Sequence, residues 1–132
     1  MDIEDHNPVG IVHVNISSLD FIDNIGSREV DNQNVDILVE AFKHGCFPDA
    51  VQNQIPAFII PAELDRALQA SQLTATDLQT SLLRKPYPIL NLGQEKLYCL
   101  YGRHRLAAAV KERHYWWTIR ILSFEPGNKL SI

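Results

Sequence analysis

The chain has 132 residues, 45% of them hydrophobic and 21% charged, with a formal net charge of -4. This fits one domain with a core of its own, in an ordinary globular composition. A mildly acidic balance is a poor basis for coating nucleic acid through many phosphate contacts, although a local basic site stays open.

The opening "MDIEDHNPVG" is acidic and lacks the apolar core of a secretory signal. It reads as an N-terminal tail, 1–10, ahead of one domain over 11–124 and a C-terminal tail over 125–132. No run approaches the roughly 18 apolar residues of a membrane span. The chain reads either as a complete small protein or as the first domain of a longer one.

"IVHVNI" (11–16) alternates apolar and polar residues and predicts a strand with one buried face. "SSLDFIDNIGS" reads as a loop. Asp31 is placed to cap a helix over "NQNVDILVEAFKHG", with Val35, Leu38, Val39 and Phe42 on one stripe and Gly45 at its end. "CFPDAVQNQ" reads as a polar linker and "IPAFII" (55–60) as a strand. Pro61 suits the first position of a helix through "AELDRALQAS", where Glu63 and Arg66 form an i,i+3 pair. Thr74 or Thr76 caps a further short helix through "DLQTSLL", and the prolines of "KPYPI" exclude regular structure there.

"KLYCLY" (96–101) predicts a strand with Leu97, Cys99 and Tyr101 on one face and Tyr98 and Leu100 on the other. A helix from 103 to about 113 follows, and "WWTIRIL" (116–122) is the last strand, with one of Trp116 and Trp117 facing inward. The order predicts a small mixed α/β (α+β) domain with about four strands and three to four helices.

Cys46 and Cys99 have no CxxC spacing. Both are expected to be reduced and at least partly buried, in an intracellular protein, cytoplasmic or nuclear. No metal site is expected from them, since neither a CxxC nor an HxxxH pair is present.

The turn "YGRHRLAAA" carries the functional signal. Gly102 permits a sharp bend and close approach of a ligand. The helix after it opens with Arg103, His104 and Arg105, although a helix N-terminus already carries partial positive charge. Free amides at that end form an anion site, with bidentate contacts from the two arginines and a further donor in His104. The residues equally allow a structural role, in which an arginine pairs with Glu112 or Glu29 and His104 caps a helix.

"LYGRHRLAAA" resembles the glycine-x-His/Arg-Arg-x-x-Ala box of the ParB N-terminal domain and sulfiredoxin. "VHVNISSLD", "VDNQNVDILVEAFKHG" and "IPAFII" resemble the first strand and turn, the following helix and the second strand of a ParB-like domain. A closer likeness is to a fungal family of uncharacterised proteins that combines an Arg-x-Val-Asp…Gly-Cys stretch, here Arg28 to Cys46, with an Ile-Pro-Ala strand, a His-Arg box and a Trp-Trp strand. The likeness runs roughly from residue 11 to 122, and its most specific part is the His-Arg box.

The resemblance implies that Gly102, Arg103, His104 and Arg105, with Arg28 nearby, bind the phosphates of ATP or another nucleotide with Mg²⁺. NTPase, kinase and nuclease activities occur among such domains and use an acidic residue after the first strand, a region held here by Glu29 and Asp31. Sulfiredoxin's reactive cysteine falls at Arg103, so sulfinic-acid reduction is not expected. The residues "NVDILVEA" offer only Asn34, Ile37 and Ala41 where sulfiredoxin contacts nucleotide. No helix-turn-helix region remains after residue 122 to read a DNA sequence. The expectation is therefore a phosphate- or nucleotide-binding domain. The alternatives are a catalytically silent protein-interaction domain and a binder of nucleic-acid backbone; the sequence leaves the oligomeric state open.

Overall fold

Hydrophobic alternation builds the first strand as the sequence suggests. In Gly10–Asn15 (β1), Val12 and Val14 are buried on one face of the sheet and His13 belongs to the other. The structure, a computed structural model, describes residues 8–21 and 31–123. The remaining elements are β2 (Leu19–Phe21), α1 (Asn32–His44), β3 (Ile55–Ile59), α2 (Pro61–Ser71), α3 (Ala75–Ser81), β4 (Leu97–Cys99), α4 (Arg103–Lys111) and β5 (Trp116–Ser123), with 3₁₀ turns at Ile16–Ser18 and Val51–Asn53.

The fold is mixed α/β, with a five-stranded sheet in the order β1-β5-β3-β4-β2. β1 runs antiparallel to β5, β5 parallel to β3, β3 antiparallel to β4, and β4 parallel to β2. The strand beyond the expected four is β2, which lies inside the stretch expected to be a loop. Three residues are too few for a period of two to register. Leu19 and Phe21 nevertheless turn toward the core while Asp20 stays exposed, and all three pair with β4.

One face of the sheet carries the main core. Val12, Val14, Ile55, Ala57, Ile59, Leu97, Cys99, Trp117, Ile119 and Ile121 meet Leu64 and Leu68 of α2, Leu78 of α3, and Leu106 and Ala109 of α4, with Phe42 of α1 at the margin. Burying one such aliphatic side chain is worth about 1.5–3 kcal/mol, so this face supplies most of the drive to fold. Phe58, Leu100 and Leu122 form a smaller cluster on the other face. β4 ends at Cys99, so Tyr101, expected on the same face as Leu97 and Cys99, lies at the surface while those two are buried. Similarly, α4 stops at Lys111 rather than near 113, and Arg113 takes φ 63°.

The helix starts differ. Asp31 caps α1, accepting from the Gln33 amide. Thr74, not Thr76, caps α3 in a reciprocal box with Asp77. α2 begins with Pro61, which has no amide hydrogen to satisfy, and carries Glu63 in its first turn. α4 has neither a capping side chain nor an acidic residue in its first turn. The strand directions bring the start of α4, the entries to β3 and β5 and the exit of β1 to the same end of the sheet.

Candidate functional site

Gly102 is the N-cap of α4, with φ 106° and ψ 11°. A Cβ there would lie 2.6 Å from Ile55 Cδ1, so the glycine is required by its left-handed backbone and by packing on β3. Its carbonyl accepts the first helical bond, from the Leu106 amide at 2.9 Å. The amides of 103–105 precede that bond and have no intrahelical acceptor.

The three side chains of the box take different roles. Arg103 sets its guanidinium 4.5 Å from the centre of the Phe21 ring, a cation–π contact between α4 and β2. Arg105 is half-buried and makes no hydrogen bond or ion pair with another residue among those described. His104, expected to be a donor to an anion, instead accepts from the Asp31 amide through Nε2 at 2.9 Å. That nitrogen is therefore taken, and the ring ties the start of α4 to the start of α1.

The acidic candidates resolve unequally. Asp31 uses Oδ1 to accept from the Gln33 amide and Oδ2 to accept from the Asn34 side chain. It works as a helix cap. Arg28 and Glu29 lie outside the described residues. Among the described residues no cluster of three His, Cys, Asp or Glu side chains is placed to hold a metal ion. Asn34, Ile37 and Ala41 are exposed on α1. Arg66 feels the charge of Glu63 but gives its hydrogen bond to Glu95, to which its Nε donates at 2.7 Å, holding that carboxyl down.

Neither cysteine is set up as a nucleophile. Burial, helped by the charge of Asp20, pushes the Cys99 thiol up to about 12. Burial also raises Cys46. A thiol must lose its proton to react, and both environments oppose that.

A second group of polar residues lies at the same end of the sheet, and sequence reasoning did not find it. His13 of β1 and Thr118 of β5 are register partners on the face away from the main core. Both converge on Asp49. His13 Nε2 lies 2.8 Å and Thr118 Oγ1 2.6 Å from Asp49 Oδ1. Burial alone would raise the Asp49 carboxyl, but the hydrogen bonds from Thr118 and His13, with the charges of His13 and Lys85, outweigh it and hold the carboxyl below its usual range. The segment bearing Asp49 is fixed from below, because buried Gln54 donates to the Asp49 carbonyl and Trp117 Nε1 to the Asn53 carbonyl.

Only His13 left a trace in the sequence, as the polar residue at the centre of an alternating strand. Thr118 becomes its partner through strand pairing, and Asp49 sits in a stretch that reads as linker.

A family model described as the N-terminal domain of proteins of unknown function DUF3723 matches residues 9–130. The chain belongs to that family. No curated protein and no solved structure matches it. The DUF3723 match begins before β1 and continues past β5, so the start of α4 and the Asp49 cluster both fall within it. No helix among the described residues is long and apolar enough to cross a membrane.

Proposed function

We propose that this DUF3723 domain binds a phosphate group at the start of α4, and that it is a ParB/sulfiredoxin-like nucleotide-binding module. The observation that carries the reading is the uncapped α4 start. Its first turn holds Arg103 and Arg105 with no acidic residue and no capping side chain, whereas Asp31 and Thr74 cap α1 and α3. An anion there would accept from the amides of 104 and 105 and from the Arg105 guanidinium as a bidentate donor. Arg103, stacked on Phe21, adds positive charge at a fixed position. A nucleotide is the ligand that the resemblance of the box implies, and no Mg²⁺-dependent step is included.

One observation favours a second reading, a catalytically silent interaction domain. Gly102 packs on Ile55 and His104 holds Asp31, so half of the box has a purely structural use.

Thermal unfolding with phosphate, pyrophosphate, ATP and CTP, each with and without Mg²⁺, separates the two. A ligand at a hundred times its Kd adds about 2.7 kcal/mol to stability. Stabilisation by at least one phosphate ligand is expected, and its loss in Arg105→Ala. If none stabilises the chain and Arg105→Ala melts like the parent, the second reading stands. Binding to DNA that collapses with added salt would instead assign the arginines to nucleic-acid backbone.

A further inference from the structure

Beside the Asp49 cluster is a cleft of about 270 Å³ lined by His13, Val14, Asn15, Ile89, Tyr115 and Trp116. Its size is just below that of pockets for drug-sized ligands, which suits one flat ring system. Its walls are aromatic. Trp116 and Tyr115 are exposed by 42% and 57%, although tryptophan is highly buried on average, and the His13 ring centre lies 4.2 Å from that of Trp116, tilted by 37°.

The polar atoms are oriented by neighbours. The Asp49 carboxylate can only accept, so His13 donates to it from Nε2; in the neutral ring Nδ1 is then an acceptor, and in the imidazolium it would be a second donor. Nδ1 has no partner among the described residues and is not enclosed. Asn15 Oδ1 is turned toward Ser17, accepting from its amide and hydroxyl. Its NH₂ group, a donor, makes no hydrogen bond among the described residues. The cleft thus offers one acceptor and one donor next to an indole face.

We propose that this cleft binds a planar heteroaromatic ring with a hydrogen-bond donor and an acceptor on one edge, as in a nucleobase. The ring stacks on the part of the Trp116 indole that the tilted His13 ring leaves open, donates to His13 Nδ1 and accepts from the Asn15 amide. Thr118 and Asp49 are positioning residues that hold the His13 tautomer. This site is independent of phosphate binding at α4: it lies across β5 and β3 from β4, three strand spacings or roughly 14 Å away.

The test is an amide-shift NMR titration of the full chain with adenosine, guanosine, cytidine and uridine, which carry no phosphate, and separately with inorganic phosphate. Perturbation by at least one nucleoside at 13–15, 89, 115 and the Trp116 indole is expected. Trp116→Leu should weaken that binding about tenfold or more, and Trp116→Phe should retain most of it. Should Trp116→Leu misfold, which its own spectrum would reveal, Tyr115→Ser serves instead and should weaken binding several-fold. No perturbation at millimolar nucleoside, or an affinity insensitive to these substitutions, overturns the proposal. A phosphate response at 103–105 without a nucleoside response would leave the α4 reading intact and remove this one.

Discussion

At Gly102, backbone geometry and packing make the same demand. A φ of 106° is a conformation that L side chains rarely adopt, and the space where a Cβ would go is filled by Ile55. Backbone strain of this kind costs about 1–3 kcal/mol, and overpacking a core contact costs a similar amount. Gly102→Ala is therefore expected to lose roughly 2–4 kcal/mol in urea unfolding. A loss below about 0.5 kcal/mol, the usual range of neutral surface changes, would show that β4 and α4 separate readily at this turn. The neighbouring residues divide between roles. His104 holds another helix and Arg103 covers an aromatic ring, which leaves Arg105 as the side chain of the box most available to a ligand.

At the scale of elements, α1 and α4 are joined at their starts. The Asp31 amide donates to His104 while the Asp31 carboxylate caps the helix it precedes. Removing an N-cap costs about 1 kcal/mol. Asp31→Ala and His104→Ala should each destabilise the chain by about that much, and the double variant by less than their sum, since both act on one helix start. Strict additivity in a double-mutant cycle would mean that the Asp31 carboxylate and the His104 ring act on the start of α1 independently. The cap at Asp31, the proline start of α2 and the alternation of β1 were legible because each rests on local chemistry within a few residues. β2 was not, because the parallel pairing that defines it is to β4, some eighty residues away. The Asp49 cluster was hidden for the same reason. Its three members lie on β1, a loop and β5, and no spacing in the chain announces that they meet.

Considered whole, the molecule puts its buried apolar mass on one face of the sheet and its organised polar chemistry at one end. Asp49 is the point where the loop after α1, the first strand and the last strand are held together. This gives a dependence on pH whose sign is fixed. The folded Asp49 carboxyl sits below its usual range, while in the unfolded chain it has the ordinary value. Its ionised form thus stabilises the fold fully above the unfolded value, and that stabilisation is lost as pH falls through the folded value. Below about pH 4, stability should drop more steeply in the parent than in Asp49→Asn, which cannot ionise. At neutral pH the variant should be weaker by about 1–3 kcal/mol, because Thr118 and His13 lose a charged acceptor. Urea unfolding followed from pH 7 to pH 3 measures both effects. Parallel acid limbs for parent and variant would mean that Asp49 is not what fastens this end of the sheet.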